Sequence, residues 1–156
     1  MKFKLPIALI FVCIMFTINK SHAQSLQNND IQNLFAKIEV LHGEKNYYNV
    51  IELVNDNIEI IKKANQEWKE VINSYKYNSQ YEIHNIAYNY YQKRDYIEAR
   101  KMLAPIITEI KDSISLNVCN KDCCIPWSSC LWLYGKINQG LGNTNEALSL
   151  LNEYHE

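Results

Sequence analysis

Apolar residues recur through most of the chain at helical spacing. Leu34, Ile38 and Leu41 stand at i, i+4 and i+7. Ile72, Tyr75, Ile83, Ile86 and Tyr90 share one helical face, and Leu131, Tyr134 and Ile137 recur every three residues. No Val/Thr-rich alternation bounded by turn dipeptides marks a strand. The pattern predicts an all-α fold. Start and stop signals then divide it into helices over about 30–41, 46–64, 66–92, 95–113, 126–140 and 143 to the C-terminus. His42-Gly43 stops the first, Lys93-Arg94-Asp95 turns the third into the fourth, and Gly142-Asn143 separates the last two. Asp95 with Glu98, and Asn143 with Glu146, read as capping boxes, where a side chain at the helix start and one three residues on satisfy each other's backbone donors. Pro105 interrupts the fourth helix and predicts a kink or an end there, because proline removes a main-chain hydrogen bond. Pro126 suits a first helical turn.

The pattern is different at the start. Lys2 and Lys4 precede an apolar run from Leu5 to Ile18, followed by the small residues of Ser21-His22-Ala23. This is the three-part layout of a secretory signal peptide, with cleavage expected after Ala23. The run is too short for a membrane-spanning helix, which needs about 20 residues. The expected organisation is a signal peptide over 1–23, a flexible mature N-terminus over 24–29 and a helical domain over 30–156. The 16 basic and 17 acidic residues of the whole chain become 13 and 17 once Lys2, Lys4 and Lys20 are removed, a net charge of −4. That balance argues against nucleic acid as a partner. No basic amphipathic stretch points to a membrane surface, and no membrane span is expected after cleavage. No Asn-x-Ser/Thr acceptor follows Ala23. A periplasmic or secreted bacterial protein is the expected setting.

The helical part repeats. A small residue on one helix precedes an Ala on the next by 12 positions in two places, Ala87 to Ala99 and Gly135 to Ala147, and a bulky residue follows four later, Leu103 and Leu151. Small residues at paired positions let two helices approach closely. This spacing resembles the tetratricopeptide repeat, which places a small residue on the first helix, an aromatic three later and Ala on the second. Tyr90 matches that aromatic, while Asn138 departs from it. Ile38 and Val50 occupy the corresponding places in a weaker first repeat, where the helices are expected to sit further apart. The intervals, 49 residues from Ile38 to Ala87 and 48 from Ala87 to Gly135, exceed the usual 34 or so. The resemblance implies about three antiparallel helix pairs stacked as a short superhelix, and a non-catalytic module that binds other proteins.

In such arrays the first helices of the pairs line a concave groove. The resemblance thereby implies a groove formed by Phe35 and Glu39, by Tyr81, His84, Tyr88 and Tyr91, and by Trp132 and Lys136. Tyrosine and tryptophan supply large contact area at low entropic cost and dominate binding hot spots. The groove is expected to receive a protein or peptide. The competing reading has the tyrosines packing on neighbouring helices with their hydroxyls wet. The last helix carries Ala147, Leu148, Leu151 and Tyr154 on an apolar face, which either folds back onto the preceding helix or offers a dimer surface.

Four cysteines remain after cleavage, Cys119, Cys123, Cys124 and Cys130. An even count in an exported chain reads as two disulfides, with Cys119 and Cys130 each paired to one of the adjacent Cys123 and Cys124. The alternative is a thiol- or metal-dependent activity centred on the Cys119–Cys130 loop, although the spacing lacks the Cys-x2-Cys pairs of zinc and redox sites. No phosphate-cradling glycine loop, His-Glu-x-x-His or Gly-x-Ser-x-Gly is present. No catalytic residue, metal ligand or cofactor is expected.

Overall fold

A computed structural model describes residues 29–115 and 127–155. The expected signal peptide, most of the expected mature N-terminus, and Cys119, Cys123 and Cys124 lie outside the described residues. Among those residues the chain is all-α, with seven helices and no strand. They are α1 (29–43), α2 (Tyr47–Asp56), α3 (Ile58–Lys63), α4 (Gln66–Gln92), α5 (Tyr96–Ser115), α6 (Trp127–Gly140) and α7 (Thr144–His155). Each of α4, α5 and α6 packs on the next, α2 packs on α4, and α4 also touches α6.

Three tight turns join the helix pairs α1/α2, α4/α5 and α6/α7, and their hydrogen bonds are the same. Lys45 N–H donates to the His42 carbonyl and Asn46 N–H to that of Leu41; Arg94 donates to Tyr91 and Asp95 to Tyr90; Gly142 donates to Gln139 and Asn143 to Asn138, all at 2.9–3.1 Å. This is the Schellman closure, in which a left-handed residue just past the helix satisfies two orphaned carbonyls. The left-handed residues are Lys45 (φ 59°), Arg94 (φ 62°) and Gly142 (φ 80°). They recur at the same 49- and 48-residue intervals as the small positions. The first stop therefore falls two residues beyond Gly43, which ends α1 in helical conformation.

Four expectations need correction. The helix expected over 46–64 breaks at Asn57, whose side-chain amide donates to the Leu53 carbonyl at 2.8 Å while its backbone N–H bonds Val54 at 3.3 Å. Asparagine competes in this way with the helical ladder. Of the kink or end expected at Pro105, the end does not occur: α5 runs through it. The proline faces outward, and the Tyr48 hydroxyl donates to the Met102 carbonyl in the turn whose ladder the proline weakens. Burial pushes the Tyr48 hydroxyl up to about 12, so it remains a donor. The Asp95 cap forms towards the Glu98 N–H at 3.3 Å, but Glu98 reaches Lys101 instead of closing the box. At the other expected box, Asn143 Nδ2 donates to Asn138 Oδ1 at 3.1 Å and Glu146 pairs with Arg100 at 3.2 Å.

The core has two parts. Ile31, Leu34, Ile38, Val50, Val54, Ile61 and Ile72 form one. Ile83, Ala87, Ala99, Leu103 and Ile106 form the other with Leu131, Leu133 and Ile137. Each large side chain fully buried contributes about 1.5–3 kcal/mol. The six positions aligned by the repeat, Ile38, Ala87 and Gly135 with Val50, Ala99 and Ala147, are all buried. The approach is close at Gly135, where a Cβ would stand 2.9 Å from Leu151 Cγ and 3.6 Å from the Ala147 carbonyl. Asn138, at the expected aromatic position, is buried; its Nδ2 donates to the Tyr134 carbonyl at 3.0 Å. An amide that ties the turn replaces a ring that would fill it.

Candidate aromatic docking face

The residues expected to form one groove separate into two groups along the 27-residue α4. Near its start, Phe35 of α1 packs edgewise on Tyr75 (5.6 Å between ring centroids) and tilts against Trp68 (5.2 Å). The Glu39 carboxylate lies 3.5 Å from the Tyr75 hydroxyl. Phe35 thus belongs to the packing of α1 on α4.

The second group lies at the far half of α4, against α6. Tyr88 and Tyr91, three residues apart, are neighbours on one face at 6.2 Å. Trp132 of α6 meets Tyr91 edgewise at 6.3 Å. Tyr91 is half-buried and forms a floor, with Tyr96 of α5 behind it at 5.9 Å. Gly140 allows Tyr96 this position, since a Cβ there would stand 2.7 Å from its ring. Tyr88 and Trp132 are exposed at 39 % and 36 %, and Tyr81, two turns before Tyr88, at 49 %. These are three of the six large apolar or aromatic residues that stay exposed among the described side chains. Lys136 borders the face and donates to Gln139 Oε1 at 3.3 Å.

His84 lies between Tyr81 and Tyr88 but turns inward. Burial lowers its pKa, against a smaller opposing effect from its hydrogen bond to the Ser129 main chain. Burial thus favours the neutral ring, whose bond to the Ser129 main chain links α4 to α6.

Sequence reasoning missed two features. A polar tie joins α2, α4 and α5: Lys76 pairs with Glu109 at 2.5 Å and donates to Asn55 at 2.8 Å, and the buried Gln80 donates to Glu109 at 2.5 Å. Alternation of charge along α4 and α5 gives no signal for a contact across 33 residues. The second is a pair of clefts that share Ala104 and Tyr134 and flank the Arg100–Glu146 pair, one of about 510 Å³ between α5, α6 and the α6/α7 turn and one of about 360 Å³ between α5, α6 and α7. Arg100 also bonds Tyr134, the main cause holding its guanidinium charged above its usual range.

Cys130, expected in a disulfide with Cys123 or Cys124, which lie outside the described residues, has a free and buried thiol, pushed up to about 12 by burial and then by the nearby Glu109 charge. Among the described residues no cluster of three His, Cys, Asp or Glu is arranged to hold a metal, and no helix is long and apolar enough to cross a membrane. On α7, Ala147 and Leu150 are buried and Leu148 is exposed at 59 %. Comparison with protein-family models, with curated proteins and with solved structures finds no match.

Proposed function

We propose that the chain is a non-catalytic, exported, tetratricopeptide-like module that binds a protein or peptide partner through the aromatic face of α4 and α6. The observation that carries the reading is the set of exposed rings, Tyr81, Tyr88 and Trp132, around the half-buried Tyr91 on two first helices. Exposed aromatics clustered on rigid elements are the usual energetic centre of a protein interface. The likeness to tetratricopeptide arrays is supported by three equal turns at intervals of 49 and 48 residues and by the tight Gly135–Ala147 approach. The leader pattern over residues 1–23 supports export to the periplasm or the medium. The buried, protonated Cys130 supports a structural over a nucleophilic role for that thiol, because the thiolate is the reactive form. The exposed Leu148 leaves α7 as the surface for self-association.

Crosslinked capture from the producing cells tests the reading. The full-length chain is compared with a Tyr88→Ala/Trp132→Ala variant and with Lys101→Ala on α5 as a control. The expected result is a partner retained by the control and lost from the double variant. Equal capture by all three would remove the face from the function.

A further inference from the structure

Of the two clefts beside the Arg100–Glu146 pair, the larger, of about 510 Å³, shares no lining residue with the aromatic face, so its role is independent of the docking role given above. Ile97, Ala104 and Leu141 give it apolar walls over the buried Tyr134. Arg100 brings a cation to it, and no acid lines it among the described residues. Lys101 stands at its mouth, its side chain 71 % exposed and turned to Glu98, and takes no part. Small-molecule sites are hollows of about 300–1,000 Å³, mostly apolar, in which a few polar groups fix orientation. This cleft has that size and that make-up.

The Arg100 guanidinium is incompletely used. Both Glu146 oxygens address one nitrogen, Nη2, at 3.2 and 3.5 Å. The Nε–H beside it is buried and has no acceptor among the described residues. Arginine holds a carboxylate best through two parallel N–H bonds, and Glu146 does not make that fork. A buried donor left unpaired costs about 1–3 kcal/mol. The Arg100 and Glu146 side chains are 41 % and 42 % exposed, and a pair so open to water contributes about 1 kcal/mol at most. A second carboxylate that took Nε and Nη2 together would therefore displace Glu146 into water at little cost and satisfy the orphan donor. A guanidinium donates and never accepts, so the incoming group must be an acceptor. With no acid lining the cleft, the negative charge comes from the ligand. An inorganic anion would leave Ile97 and Leu141 uncovered, so the ligand also carries hydrocarbon. We propose that this cleft binds a small organic acid, its carboxylate forked on Nε and Nη2 of Arg100 in place of Glu146 and its apolar stem against Ile97 and Leu141.

Calorimetric titration of the full-length chain, purified from its own cells, tests this with isocaproate. Isocaproamide keeps the stem without the charge, and acetate keeps the charge without the stem. The expected result is saturable isocaproate binding, with both comparison ligands about tenfold weaker or more. Arg100→Lys, which keeps the cation and loses the fork, weakens isocaproate about tenfold or more. Leu141→Ala weakens isocaproate but not acetate. Glu146→Gln removes the competing carboxylate and tightens isocaproate, an effect that a merely structural pair would not give. Unchanged thermal midpoints show that the variants are folded; should Arg100→Lys not fold, Glu146→Gln decides alone. Isocaproate binding no tighter than isocaproamide, or unchanged or weakened by Glu146→Gln, overturns the proposal. Tighter binding of an acetylated Ala-Ala-Leu peptide with a free carboxylate overturns the assignment to a free acid, since the carboxylate would then belong to the end of a protein chain.

Discussion

Placing a methyl group at Gly135 puts two effects of opposite sign in competition, and the structure says how to separate them. Alanine in place of a mid-helix glycine stabilises by about 0.8–1 kcal/mol through helix propensity. At Gly135 the new Cβ would lie 2.9 and 3.0 Å from Leu151 Cγ and Cδ2. Ordinary carbon contacts are near 3.5–4.0 Å. Over-packing of this kind costs about 1–3 kcal/mol. The net for Gly135→Ala is a loss of about 1 kcal/mol, because α7 cannot retreat without uncovering Ala147 and Leu150. Truncating Leu151 to Ala removes the obstruction. In that background Gly135→Ala should stabilise by most of the propensity gain. The coupling between the two sites is then about 1–3 kcal/mol. Urea unfolding of the four proteins of this cycle measures it. A Gly135→Ala effect of the same sign and size in both backgrounds would refute the close approach of α6 and α7 at this point.

The turns offer a simpler test: Lys45 and Arg94 hold left-handed backbone that costs a non-glycine residue about 1 kcal/mol, so Lys45→Gly and Arg94→Gly should each raise the thermal midpoint by a few degrees, while Gly142→Ala lowers it. Lys76→Met takes the cation from the Glu109 carboxylate, whose side chain is only 13 % exposed; chemical denaturation should show a loss of about 3 kcal/mol, most of it recovered in Lys76→Met/Glu109→Leu. Burial, opposed in part by the Ser129 main chain, holds His84 below its ordinary 6.5. The unfolded chain therefore binds the extra proton, and this contribution to stability is complete above pH 6.5 and is lost as the pH falls below it; in His84→Gln the loss of stability between pH 7.5 and 5 should be smaller than in the parent. Iodoacetamide should label Cys130 only after denaturation, as read by mass spectrometry of the peptide, since its thiol lies near 12 in the fold.

Local signals were legible in the sequence and long-range ones were not. Ile72 and Ile83, or Leu131 and Ile137, betray their burial through spacing alone, and the end of α4 at Gln92 follows from the Lys93-Arg94-Asp95 turn; its start is fixed by the Asn65 side chain, which accepts from the Trp68 N–H at 3.0 Å and was not read from the sequence. The Schellman turns were half visible. Gly142 announces left-handed backbone, but Lys45 and Arg94 adopt it against their own preference, so Gly43 looked like the stop and is not. The break at Asn57 depends on one side chain choosing a backbone partner, which spacing does not record. The groove was legible as a list of residues but not as a place. Phe35 and Glu39 meet α4 at Trp68 and Tyr75, more than a helical turn before Tyr81, and only the length of α4 determines that separation.

That length also accounts for what binding would do to the rest of the molecule. At about 1.5 Å per residue, α4 extends about 40 Å. Ile72 is anchored in the core shared with α1 and α2, and Ile83 in the core shared with α5 and α6. One rod therefore belongs to both cores, and the Lys76–Glu109 pair ties it to α5 between them. A ligand seated on Tyr88 and Trp132 presses on an element whose movement would uncover both cores, so it stabilises the array and not one hairpin. At a hundred times its dissociation constant such a ligand adds about 2.7 kcal/mol. Hydrogen exchange should then slow in α1 and α2, which the ligand does not touch, as well as in α4 and α6. Protection confined to α4 and α6 would show that the two cores open independently, and that α4 bends where Ser79 and Gln80 are buried between them.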